Sequence, residues 1–321
     1  MNSYQLGVSS CQMTRGFVYE RDLERDMDID KNFPTKLTTV DDVPRPFRDA
    51  LKDRISRKEH VQSLIYSPAF STLENFPTGS TAVIPGKILA PASLLAVLPD
   101  GWLVATEEED GIKVETASFA DTLFLELTSI LLSGELKIYS AAVGTYYVST
   151  LSFNTVGEEV YREAISLILD GIDQTKSTSY DNNRSLLRSW PLKFRLEAER
   201  YCPKGQRLTT ATRWSCLNGE SDQALCPSGA LLITERELVF ISEQTAFPRQ
   251  HVGDLHKFGG IITYFPLIRL SDFHISHHGH FGVLALLIHA AHGSEKLEIA
   301  FPSDREKAVQ KTMQFAFQNS R

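Results

Sequence analysis

Cysteine is scarce in this sequence: four among 321 residues, at Cys11, Cys202, Cys216 and Cys226. Gaps of 14 and 10 positions separate the last three, which excludes a C-x-x-C redox pair and the zinc-knuckle spacings. Reduced thiols in a reducing compartment are the expectation, although Cys216 and Cys226 flank one loop and pair on oxidation if their Cα atoms lie within about 4.4–6.8 Å. Long apolar runs are missing too. No window approaches the ~18 consecutive apolar residues of a membrane span. The start MNSYQLGVSSCQMTRG has neither the basic opening nor the apolar stretch of a secretion signal. A soluble, cytoplasmic protein is expected.

There is no excess of basic residues. Lys and Arg number 33 against 40 Asp and Glu, a net charge of −7. The imbalance is uneven: residues 58–172 hold 15 acidic and 5 basic side chains, whereas residues 204–316 hold 11 of each. An acidic first half repels nucleic-acid phosphates and anionic lipid, so nucleic acid is excluded as a partner and an anionic membrane is disfavoured. Catalytic signatures are missing as well: no G-x-S-x-G, no H-E-x-x-H, no G-x-x-x-x-G-K-[ST], and no glycine-rich dinucleotide loop between a strand and a helix. The expectation is therefore no enzyme and no cofactor.

What the sequence does contain is a repeat. LSFNTVGEEVYREAISLIL (151–169) and IAFPSDREKAVQKTMQFAF (299–317) align without a gap. In each, two apolar residues at strand spacing lead into Thr155-x-x-Glu158 or Ser303-x-x-Glu306, the pattern of a capping box. Beyond these the apolar residues fall at helical period, Ala164, Ile165, Ile168 and Leu169 in one copy and Val309, Met313, Ala316 and Phe317 in the other. Upstream, PASLLAVLPDGWLVAT (91–106) matches PSGALLITERELVFIS (227–242), with Pro99-Asp100-Gly101 and Glu235-Arg236 as hairpin turns. A rival alignment sets Pro99 on Pro227. Placing turn on turn is preferred. Further short strands between hairpin and helix, broken at Gly or Ser about every ten residues, read as an antiparallel meander.

Six or seven antiparallel strands ended by one amphipathic helix resemble the pleckstrin-homology-like superfold in its bacterial and GRAM-like branches. The hairpins ASLLAVLPDGWLVAT and GALLITERELVFIS and the closing helices 156–169 and 304–317 carry the resemblance. It implies a mainly β (α+β) chain of two antiparallel barrels, each closed by a C-terminal helix. The expected division is an N-terminal arm (1–41), a first domain (42–172), a linker (173–184) and a second domain (185–321), with a leading helix before each barrel at 42–55 and 185–200. The superfold also implies phosphoinositide binding through basic residues between the first strands. STLENFPTGSTAVIPGK has one Glu and one Lys, and CLNGESDQALC has two acids and no base.

One stretch stands outside the repeat. HISHHGHFG (274–282) holds His274, His277, His278 and His280, four of the nine histidines. Alternation along a strand sends His274, His278 and His280 to one side, where an H-x-H step joined by His289 or Asp272 is able to ligate zinc. The equivalent turn of the first copy, TSILLSGELK (128–137), has no histidine, so a polar hairpin turning at Gly279 is favoured over a metal site. The run Glu107–Asp110, EEED, reads as a solvated acidic loop, since EF-hand spacing is absent. The functional expectation is an interaction or adaptor protein that binds a protein or peptide or self-associates. The alternative is a metal- or small-ligand function on the second module, through the histidine hairpin and the loop bearing His251 and His256.

Overall fold

The computed structural model describes residues 33–52, 54–55, 61–71, 88–130, 132–142, 145–175, 184–203, 205–218, 224–243 and 259–319. The first half forms α1 (Arg45–Leu51), β1 (Ser63–Ser67), β2 (Ser93–Val97), β3 (Gly101–Glu108), β4 (Gly111–Ser118), β5 (Thr122–Ile130), β6 (Ser133–Ala142), β7 (Thr145–Asn154) and α2 (Glu158–Ile172). The second half forms α3 (Leu192–Tyr201), β8 (Thr210–Trp214), β9 (Gly229–Ile233), β10 (Glu237–Glu243), β11 (Gly259–Pro266), β12 (Leu270–His278), β13 (Phe281–Ala290), β14 (Gly293–Pro302) and α4 (Glu306–Asn319). Short strands of two or three residues aside, each half thus runs through a leading helix, four strands, three strands and a closing helix. The chain is mainly β with antiparallel sheets, as expected.

The repeat holds at the level of register. Val97 faces Trp102 and Leu95 faces Val104, while Ile233 faces Leu238 and Leu231 faces Phe240. The turns match too, with the Leu98 amide donating to the Gly101 carbonyl and the Thr234 amide to the Glu237 carbonyl, both at 2.9 Å. A bulge interrupts β5 between Thr122 and Phe124 and recurs in β12 between Leu270 and Asp272. Gly134 lies under the ring of Phe153 and Gly282 under that of Phe301; a Cβ at either would stand within about 2.5 Å of ring carbon. A glycine paired with an aromatic ring is a device for curving a sheet.

The sheets among the described residues remain open rather than closing into two barrels. The cause lies at the junction. Strand β5 gives one edge to β6 and the other to β11 of the second half, so one seven-stranded sheet runs β7-β6-β5-β11-β10-β9-β8. The first four strands stand beside Thr35–Lys36 in a five-stranded sheet, and β12-β13-β14 form a third. The core follows this arrangement. One cluster joins Tyr161, Ile165 and Leu169 of α2 and Phe194 and Tyr201 of α3 to Leu232, Val239 and Ile262 of the second half. A second, beneath α4, joins Leu123, Phe124 and Ala141 of the first half to the second half, and a third lies beneath α1.

The helices start where the sequence pattern puts them, by way of a 3-10 turn at Thr155–Gly157 and another at Ser303–Arg305. The capping boxes need correction. Asn154 caps the first turn, its Oδ1 accepting from the Val156 amide at 3.0 Å. The Ser303 hydroxyl instead donates to the Gly279 carbonyl at 3.4 Å. With the turns capped at Asn154 and Pro302, Glu158 and Glu306 fall one position beyond the third helical residue that a capping box uses, and both serve elsewhere.

Candidate functional site

The histidine hairpin forms where the sequence pattern predicts it. The two-residue turn Gly279-His280 joins β12 to β13, and Gly279 adopts a φ of +64°, a conformation that favours glycine. His274, His277, His278 and His280 are all exposed. They do different things. The His277 Nε2 stands 3.3 Å from the Glu306 carboxylate of α4, and the His278 ring stacks on Phe281 with centroids 5.6 Å apart. Asp272 bonds the neighbouring Phe273 amide at 2.8 Å. Among the described residues no three His, Cys, Asp or Glu side chains gather as a metal site. His251 and His256 lie outside the described residues.

Glu107, Glu108, Glu109 and Asp110 are exposed around the β3–β4 turn. Lys113 stands 2.9 Å from Glu115 and 4.0 Å from Glu108. Cys202, Cys216 and Cys226 are not joined in disulfides, so the Cys216–Cys226 bridge is unformed; Cys11 falls outside the described residues. So do residues 72–87 and 219–223, most of the two loops on which the expected phosphoinositide contacts would fall. Among the described residues no helix is long and apolar enough to cross a membrane.

The polar groups that sequence reading missed lie at the junction of the halves. Glu158, which the pattern assigned to a helix cap, is buried; it accepts from the Ser129 hydroxyl at 2.8 Å and pairs with Arg200 at 2.9 Å. Arg236 reaches from the β9–β10 turn to the end of α2, donating to the Asp173 and Thr175 carbonyls at 2.9 and 3.1 Å and pairing with Asp170. A cation at a helix C-terminus satisfies carbonyls that the helix leaves unpaired. Beside it Glu237 is buried, and desolvation pushes its carboxyl up to about 7, against the pull of Arg236, Thr234 and Gln206. The Thr234 hydroxyl lies 2.6 Å from Gln206 Oε1 and 2.9 Å from Glu237 Oε2. One hydroxyl hydrogen serves only one of those oxygens, so a proton on Glu237 completes the set.

Between α2 and α3 opens a cleft of about 350 Å³ with Lys36, Arg162, Arg200 and Cys202 on its walls. Its cations are engaged: Lys36 with Glu163 at 3.0 Å and Arg162 with Glu159 at 2.6 Å. Burial pushes the Cys202 thiol up to about 12, which keeps it protonated and weakly nucleophilic at neutral pH. The geometry here ties two halves together rather than exposing reactive groups. The remaining features are open sheet edges, at β4 and β12 among others, and exposed apolar side chains such as Leu192, Leu196 and Ile268. No protein-family model matches the chain, and no curated protein matches it.

Proposed function

We propose that the chain is a non-enzymatic interaction protein of two pleckstrin-homology-like modules, residues 42–172 and 185–321, held as one recognition unit for a protein or peptide. The observation that carries the reading is the repeat itself: four strands, three strands and a closing helix occur twice with matching registers and bulges. The two copies share a sheet and a core. Open β-edges supply main-chain donors and acceptors to an added strand, and neighbouring side chains supply selectivity.

The test is selection of a displayed peptide library against the full chain, followed by hydrogen exchange on the complex. Saturable peptide binding that protects β4, β12 or the outer face of α3 supports the reading. Headgroup-specific, saturable binding to anionic liposomes at physiological salt, with no peptide selected, overturns it. The acidic first half leads us to expect no such lipid binding.

A further inference from the structure

We propose that the protein associates head to tail with a second copy of itself, the free edge of β12 in one molecule pairing antiparallel with the free edge of β4 in the next. This deepens the interaction reading above and rests on it. The geometry is already present once inside the chain. Strand β5 pairs with β11, Ser129 opposite Gly260, Leu127 opposite Ile262 and Leu125 opposite Tyr264. By the repeat, β12 is the counterpart of β5 and β4 the counterpart of β11, each 148 positions away in sequence. Among the described residues, these counterparts are the edge strands of their sheets. The chain therefore carries one unused copy of each partner in its own internal contact.

Burial follows the same logic. Leu125, Leu127, Ile262 and Tyr264 are at most 3% exposed where the two strands meet. Their counterparts Phe273, Ile275 and Val114 are only half-buried, and Thr116 is exposed. The closing helices repeat the contrast, with Leu169 buried in α2 and its counterpart Phe317 half-buried in α4. These side chains are covered only in part, with Phe273 and Phe317 against each other, where the next module would complete the cover.

The hydrogen-bonding phase matches as well. Glu108 and Gly111, and likewise His278 and Phe281, close two-residue turns and are paired across them. Alternation then turns the amides of Ile112, Val114 and Thr116 and of His277, Ile275 and Phe273 away from the neighbouring strand. Transferring the internal register sets Ile112 opposite His277, Val114 opposite Ile275 and Thr116 opposite Phe273. The Tyr147 hydroxyl now donates to the Thr116 carbonyl at a long 3.4 Å and the Phe273 amide to Asp272 Oδ1 at 2.8 Å, bonds that an arriving strand displaces. The same register sets Glu115 opposite His274 and brings the acidic turn Glu109-Asp110 beside His278 and His280. Carboxylates of the acidic half then meet the histidine hairpin, where imidazoles donate to them. The two edges differ, so the contact is heterologous and propagates as a chain of molecules unless a ring closes.

Sedimentation velocity over a concentration series of the full chain tests this. The wild type is expected to grow past the dimer as concentration rises. Thr116→Pro and His277→Pro each remove an outward-facing amide from one edge, a position where proline is tolerated, and each is expected to sediment as a monomer. Mixed in equal amounts they are expected to form a dimer and stop, since each retains the edge that the other has lost. His274→Glu, at an exposed position facing Glu115 of the neighbour, is expected to weaken wild-type association about fivefold by like-charge repulsion across the strands, and it keeps the test valid should either proline variant fail to fold. A wild type that stays monomeric, a dimer that stops growing in the wild type, association undiminished in His274→Glu, or folded proline variants that fail to complement each other overturns the proposal. A monomeric wild type that still binds a selected peptide removes this inference and leaves the interaction reading standing.

Discussion

Glu237 is a buried carboxyl group, 1% exposed, and its titration links this one residue to the stability of the whole chain. Its ordinary value of 4.5 rises to about 7 on burial. Between those values the folded chain holds a proton that the unfolded chain has lost, so stability falls as pH rises through that window and is level on either side. At about 1.4 kcal/mol per pH unit the effect is on the order of 3 kcal/mol. Glu237→Gln, which cannot titrate, should flatten the decline of the thermal midpoint between pH 4.5 and 7; an unchanged slope would show that another group is responsible. A second residue-scale prediction concerns Gly282. An alanine there meets the Phe301 ring at about 2.5 Å, and overpacking of this kind costs roughly 1–3 kcal/mol, measurable as a lower urea midpoint. Glu237 stood in the sequence as one more charge beside Arg236, because burial depends on neighbours that local pattern does not name. The turn at Gly279 was legible, since a glycine between alternating residues has a local cause.

At the scale of elements, periodicity located the closing helices and the hairpins because their apolar faces are set by local spacing. It assigned the caps to the wrong residues, since a 3-10 turn and an α-turn bear the same letters. Asn154→Ala should therefore cost about 1 kcal/mol by loss of the cap, as read from the denaturation midpoint; no loss would return the role to a neighbour. Helix α3 shows a different limit. The sequence puts Leu192, Phe194 and Leu196 together, and all are apolar enough for a core. The structure buries Phe194, Ala198 and Tyr201 and leaves Leu192 and Leu196 more than half exposed. Phe194→Ala should cost roughly 3–5 kcal/mol, while Leu196→Ala should fall within about 0.5 kcal/mol of wild type. Equal losses would mean that the helix is turned the other way. Strands β2 and β9 are buried on both faces, which alternation alone does not reveal. Leu94 and Ala96 of β2 join the core beneath α1 while Leu95 and Val97 join that of α2. Leu231 and Ile233 of β9 join the core beneath α4 while Ala230 and Leu232 join that of α2 and α3.

For the whole molecule, the question is whether the halves are two bodies or one. Sequence reading separated them at residues 173–184, a polar stretch between two copies of a pattern, and nothing local in β5 or β11 announces that they pair. Yet six residue pairs join those strands, and Arg236 binds the end of α2 from the far side of the boundary. Leu232, Val239, Ile241 and Ile262 face the same core as Ile165 and Leu169. Each would lose roughly 1.5–3 kcal/mol of burial if the halves parted. Parting would also strand Glu158 and leave the Leu125 and Leu127 edge bare. The expected behaviour is one cooperative unit. A protease site inserted between residues 176 and 183 should, after complete cleavage, leave both fragments co-eluting on size exclusion without denaturant, and scanning calorimetry of the uncut chain should show a single transition with matching calorimetric and van't Hoff enthalpies. Fragments that separate freely, each with a stable melt of its own, would mean that the shared sheet is a weak tether. The repeat would then be a pair of independent modules, and the internal β5–β11 contact would lose its standing as a template for joining one molecule to the next.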